Sequence, residues 1–306
     1  MARITWHEVP PHVRTHVDRV LGDDVVEAVC QPGGYSPGSA DRVLTRSGLR
    51  AFVKAVSPAQ NPDSPTLHRR EIEVTRALPS SARAPSLLGS YDDGDWVALI
   101  LEDVDGVHPD TPWRPEQLEW ALDSLDALAD VLTPFPLARV PTAREVLADE
   151  FAGWERLAAD PPSMLEEWVA DEVERWRRLA QQGVDALDGD TLVHCDVRAD
   201  NLLVRPGGEV VLVDWPHACR GPRWLDTVML LANVDLTGGH DVEELLHSRR
   251  LTADVDAPAV SGVLAGLAGF LLDRARRPAP PGLPTIRDFQ RDQGEALLGW
   301  LRRRHG

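Results

Sequence analysis

Residues 192–215, LVHCDVRADNLLVRPGGEVVLVDW, decide how the rest of the chain is read. They hold the pattern H-x-D-x-x-x-x-N at His194, Asp196 and Asn201, then two apolar runs around Pro206–Gly208, then a second aspartate, Asp214. Apolar runs split by Pro-Gly-Gly predict a β-hairpin, which leaves Asp214 at a strand end. Phosphoryl transfer needs one carboxylate to orient an attacking hydroxyl, and oxygen ligands for Mg²⁺ at a fixed distance from it. A loop bearing an Asp and an Asn, with a hairpin returning a second Asp, supplies all three groups.

Working outward, AFVKAV at 51–56 contains the only lysine among 32 basic residues. A site that keeps Lys against so strong a preference for Arg points to a need for a compact ammonium. Strand alternation puts Phe52, Lys54 and Val56 on one face, so the lysine points where its apolar neighbours point. In LHRREIEVTRAL, 67–78, helical spacing aligns Leu67, Val74 and Leu78, and Glu71 falls on the same stripe. An inward-facing glutamate wants a cation, and Lys54 is the candidate. Glu73 lies off the stripe and is expected in solvent. Between two predicted strands, PGGYSPGS at 32–39 forms a glycine-punctuated turn. Gly33, Gly34 and Gly38 let backbone N–H groups approach an anion, and Ser36 can donate a further bond. DWVALILEDVDG at 95–106 reads as a strand ending in a bend.

The first hundred residues thus read as mostly strand, with a helix at PPHVRTHVDRVLG and another at 67–78. From about 115 to 185, and again after Asp214, the pattern is helical, with RRPAPPGLP as an exposed loop. The net charge is −17. Residues 1–101 carry 11 basic and 12 acidic side chains, so the excess of acid lies in 102–306. Such a surface disfavours nucleic acid as a partner and can steer a cationic small molecule. No run of some 18 apolar residues predicts a membrane span, and the N-terminus lacks the apolar stretch of a secretory signal. Three cysteines without C-x-x-C spacing suggest ordinary thiols, and a cytoplasmic protein is expected. His12 and His16 have the i,i+4 spacing of metal ligands, but no accompanying carboxylate arrangement; a solvated helix end is expected there. Trp154, Trp168 and Trp176 are read as core, with a substrate cleft as the alternative. Arg220 and Arg223 either meet an anion or cap a surface turn.

From the glycine-rich turn to the helices after Asp214, the chain resembles the aminoglycoside phosphotransferase family, small-molecule kinases related to choline and fructosamine kinases. The resemblance implies an α+β, two-lobed protein-kinase-like fold, with a mostly β N-lobe over 1–101 and a mostly helical C-lobe over 102–306. It implies Asp196 as catalytic base and Asn201 and Asp214 as ligands of Mg²⁺. Lys54 then binds nucleotide phosphates and Glu71 pairs with it. Gly34, Ser36 and Gly38 stand at the phosphate loop. Glu102 and Val104 stand at the hinge, where adenine would meet backbone. Asp226 matches a residue that braces the catalytic loop, as His194 is also expected to do. Cys195 stands where the family usually has glycine, Arg198 fills a variable position, and Trp215 replaces the phenylalanine of protein kinases. The basic ending, WLRRRHG, differs from the acidic groups of aminoglycoside-binding members and leaves the acceptor open.

The function expected is transfer of the γ-phosphate of ATP or GTP to a hydroxyl of a small molecule such as an antibiotic, amino sugar, amino alcohol or biosynthetic intermediate. The alternatives are a catalytically inactive nucleotide-binding regulator of the same fold, and a metal hydrolase built on the N-terminal histidines. A monomer is expected, with a dimer left open.

Overall fold

The computed structural model describes residues 3–31, 37–136, 139–161, 172–280 and 283–305. The chain divides into two compact units, the first comprising residues 1–108, 200–217 and 280–284, the second the remainder.

The first unit is built on a five-stranded antiparallel sheet. Its strands are β1 (Val25–Cys30), β2 (Ser39–Thr45), β3 (Arg50–Val56), β4 (Leu87–Asp92) and β5 (Val97–Glu102), in the order β1-β2-β3-β5-β4. Alternation along β3 gives the sheet two different faces. Ala51, Val53 and Ala55 pack with Val43, Ala98 and Ile100 against Val13 and Val17 of helix α1 (Pro11–Leu21) and against Trp6. On the opposite face Phe52 joins Leu99, Leu101 and Ile72, the last from helix α2 (Ser64–Ala77). Lys54 belongs to that second face and pairs in register with Leu99. The predicted hairpin is present as β7 (Leu202–Val204) and β8 (Val210–Leu212), with Gly207 and Gly208 at positive φ in its turn. It belongs to the same unit, through a bridge from Val107 to Val204 and a bond from the Leu212 N–H to the Arg83 carbonyl.

The described part of the second unit holds α3 (Pro115–Val131), α4 (Ala143–Phe151), α5 (Gly153–Ala159), α6 (Val173–Asp185), α7 (Leu225–Thr237), α8 (Val242–Ser248), α9 (Ala257–Ala275) and α10 (Ile286–His305). A small antiparallel pair, β6 (Thr191–Val193) with β9 (Cys219–Gly221), leads into the segment that starts at His194. Helix α9 has the length and apolar composition of a membrane span, but its faces are used inside the unit. Gly262 meets Gly183 of α6 so closely that a Cβ there would lie 2.3 Å from the Gly183 nitrogen. Gly266 faces the Phe151 ring, and Gly269 faces Trp154. Trp154 and Trp176 are fully buried with ring centroids 6.5 Å apart, and the Trp154 indole donates to the Ala265 carbonyl at 2.7 Å. Both are therefore core, and Trp168 lies outside the described residues.

Two strands escaped the sequence pattern. LLGSYD of β4 alternates weakly and shifts register between Leu87 and Gly89, while CRG of β9 is too short to show a period.

Candidate active site

In the first unit the lone lysine is where three elements meet. Lys54 Nζ, on β3, lies 2.8 and 2.9 Å from the two carboxylate oxygens of Glu71 on α2. It lies 2.8 Å from Oδ1 of Asp214, just beyond β8. Glu71 is 2% exposed, too buried to remain charged without such a partner. The Trp215 N–H also donates to its carboxylate. Burial works against the Lys54 ammonium, yet Asp214 and Glu71 outweigh it and hold the pKa above its ordinary value. The residue stays a fixed positive charge. Asp214 has φ 68, in the left-handed region that costs a side-chain-bearing residue energy and that recurs at functional positions. Asn201 is buried in the turn just before β7, and its carbonyl accepts from the Val213 N–H, tying the two ends of the hairpin.

His68 is a neighbour that the sequence pattern did not single out. Burial, with the nearby Lys54 ammonium, pulls its pKa down to about 3, so the imidazole is neutral. It sits one turn before Glu71, and a lone histidine in a helix gives no sequence signal of such burial beside a lysine.

Glu102 and Val104 lie at the end of β5. The Glu102 N–H donates to the Ser86 carbonyl, and its carboxylate is held by the Ser86 hydroxyl at 3.1 Å and Arg205 at 3.0 Å. The side chain is thus committed to the protein. The Val104 carbonyl accepts from Arg42 Nη2 at 2.7 Å. Gly34 and Ser36 fall outside the described residues, as does Gly33. Gly38 has a packing requirement of its own, since a Cβ there would lie 2.4 Å from the Ala55 carbonyl oxygen.

Residues 194–199, with Asp196, belong to the second unit. Asp226, in the first turn of α7, accepts the His194 N–H at 2.7 Å and the Cys195 N–H at 2.9 Å, one on each carboxylate oxygen. Burial pushes its pKa up to about 6 against these two bonds. The brace expected at Asp226 is therefore a direct clamp on the backbone next to Asp196. Cys195 has φ 63, a left-handed conformation that glycine adopts without cost and that fits the glycine the resemblance implies here. Asp196 is half-buried and forms an ion pair with Arg198, whose guanidinium lies 5.6 Å from the centre of the Phe289 ring. Arg223 is taken up by an ion pair with Asp130, and Arg220 lies in β9. In the first unit His12 sits 3.3 Å from Asp93, and His16 is bonded to the Ser90 carbonyl. The described residues contain no group of three metal-ligating side chains.

The family model described as the phosphotransferase enzyme family matches residues 32–257. Among curated proteins none matches the sequence. Solved structures share the fold. Choline kinase LicA from Streptococcus pneumoniae aligns with a TM-score of 0.64 at 15% identity, covering 94% of this chain and 98% of its own. The GDP and kanamycin complex of APH(2")-IIia gives 0.63 at 15% identity, over 96% and 98%. A thermostable mutant of aminoglycoside phosphotransferase APH(4)-Ia, in ternary complex with ADP and hygromycin B, gives 0.61 at 17% identity, over 95% and 98%. The α+β, protein-kinase-like architecture expected from the sequence is the observed one. With a match that spans well over half its length, the chain belongs to the phosphotransferase enzyme family.

Proposed function

We propose that the protein is a nucleotide-dependent, Mg²⁺-dependent kinase that phosphorylates a hydroxyl of a small molecule. The observation that carries this reading is the Lys54–Glu71–Asp214 cluster, in a family of phosphotransferases. A buried ammonium held by two carboxylates, one of them 45% exposed, is prepared to receive the negative charge of a nucleoside triphosphate. Glu71 fixes the position of Lys54, so that the lysine loses little freedom on binding. Asn201 and Asp214 offer only oxygen donors, a set that suits a hard cation, and they are the residues proposed to hold Mg²⁺. Bound there, Mg²⁺ would neutralise charge on the phosphates.

Asp196 is the proposed base. Its carboxylate orients the acceptor hydroxyl and takes the proton as the oxygen bonds to the γ-phosphorus and the bond to the nucleoside diphosphate breaks. The Asp226 clamp on the His194 and Cys195 amides holds the backbone that carries Asp196. Relatives of the fold crystallised with kanamycin or hygromycin B, or named for choline, support a hydroxylated and cationic acceptor. The acidic excess of residues 102–306 supports the same choice.

The test is a screen of hydroxylated amino compounds for acceptor-dependent release of nucleoside diphosphate in the presence of Mg²⁺. At least one acceptor should give turnover. Nucleotide binding without turnover on any acceptor would favour an inactive regulator.

A further inference from the structure

Against the segment that follows β5 lies an arginine that no nucleotide-binding pattern in the sequence singles out. Arg42 projects from β2 and is anchored twice. Its Nε lies 2.8 Å from Oδ1 of Asp103, and its Nη2 donates to the Val104 carbonyl at 2.7 Å. Asp103 is 3% exposed, and its other oxygen is held by Arg50 at 2.7 Å. Two arginines on one buried carboxylate leave Arg42 little freedom to swing away. The Val104 N–H, by contrast, donates to no acceptor among the described residues. This backbone therefore offers a free donor beside an acceptor that a guanidinium already occupies.

We propose that Arg42 selects the nucleobase, favouring adenine over guanine; this rests on the kinase reading above. Adenine offers the acceptor N1 to an N–H and places only a C–H next to it. Guanine offers O6, and beside it the N1–H and 2-amino donors, which need acceptors of their own. The Val104 carbonyl is the acceptor adjacent to the free N–H; Arg42 already fills one of its two acceptor positions, so a purine amino group approaching it meets a charged donor beside the remaining lone pair. Donor facing donor is how a site rejects a base without touching the one it accepts. Arg42 thus acts through the Val104 carbonyl, as a specificity determinant.

The test uses the full-length protein with Mg²⁺ and no acceptor, and calorimetric titration with ATP, GTP and 2-aminoadenosine triphosphate. The last differs from ATP only by the 2-amino group. Wild type should bind ATP about tenfold more tightly than 2-aminoadenosine triphosphate, as expected for one unpaired donor, and GTP should be weaker than ATP. Arg42→Met keeps an unbranched stem without the guanidinium and leaves Asp103 its ion pair with Arg50. It should narrow the gap between ATP and the 2-amino analogue to about twofold. Equal affinities in wild type, or an undiminished gap in a folded Arg42→Met, would overturn the proposal and leave the kinase reading intact. Should the variant not fold, the wild-type comparison of ATP with its 2-amino analogue decides alone. Absence of binding by every nucleotide would overturn both.

Discussion

Lys54 makes three short contacts to two carboxylates, a geometry that a point charge with three rotating donors satisfies and a planar fork does not. Lys54→Arg should therefore weaken Mg²⁺-nucleotide binding at least about tenfold despite keeping the charge. It should also destabilise the fold by about 1–3 kcal/mol through overpacking. Titration calorimetry and thermal melts measure the two effects, and wild-type values for both would make the lone lysine an accident of composition. Asp226 gives a pH dependence with a definite sign. An unfolded aspartate releases its proton near its ordinary value, whereas burial keeps the native one protonated up to about 6. Between those values the native state binds more protons, so this contribution to stability is full below the ordinary value, 3.8, and is lost as pH rises through about 6. The stability difference between wild type and Asp226→Asn should fall by on the order of 2–3 kcal/mol from pH 4 to pH 7. A difference independent of pH would contradict the assignment. At this scale much was legible: Glu71 announced itself because a charged residue on an apolar helical stripe must have a partner. Arg42 did not, because a charged residue on a strand has no period to violate, and its partner lies 62 positions along the chain.

Helices with strong period and strands with clean alternation were read from the sequence nearly in full; elements held by neighbours rather than by their own pattern were not. β4 is polar and bulged, and β9 exists because Val193 and Cys219 pair across it. The positive φ of Cys195 is likewise set by the clamp around it, so the sequence shows only an unusual residue at that place. Glycines in α9 are a further case. Composition reads them as breakers or as a membrane-like helix, whereas their use is to bring backbones together. Gly262→Ala should push α9 from α6 and lower stability by about 2 kcal/mol or more, read as a drop in melting temperature. Gly299→Ala, in α10, is the control: its Cβ would meet nothing closer than 3.6 Å. Equal melting temperatures for the two variants would mean that the crossing is not close-packed.

At the scale of the whole molecule, chain order conceals how residues are grouped. Asn201 and Asp214 belong to the compact unit that contains Lys54, although about 150 residues of sequence intervene, and Asp196 belongs to the unit of Asp226. The basic C-terminal tail, which in sequence stands against the acidic balance of that half, is tied up locally. Arg304 is bonded to Glu243 at 2.6 and 2.7 Å, and Arg303 to Asp235. The central claim is that one carboxylate performs the chemistry while the nucleotide is held by other groups. Asp196→Asn preserves side-chain size and leaves Lys54, Glu71, Asn201 and Asp214 in place. The direct measurement is acceptor-dependent phosphate transfer by this variant at saturating Mg²⁺-nucleotide, with its nucleotide affinity determined on the same sample. Transfer should fall by roughly 10²–10⁴, the usual contribution of a positioned base, while affinity stays within about threefold of wild type. Transfer at the wild-type rate, with normal nucleotide binding, would contradict the assignment of Asp196.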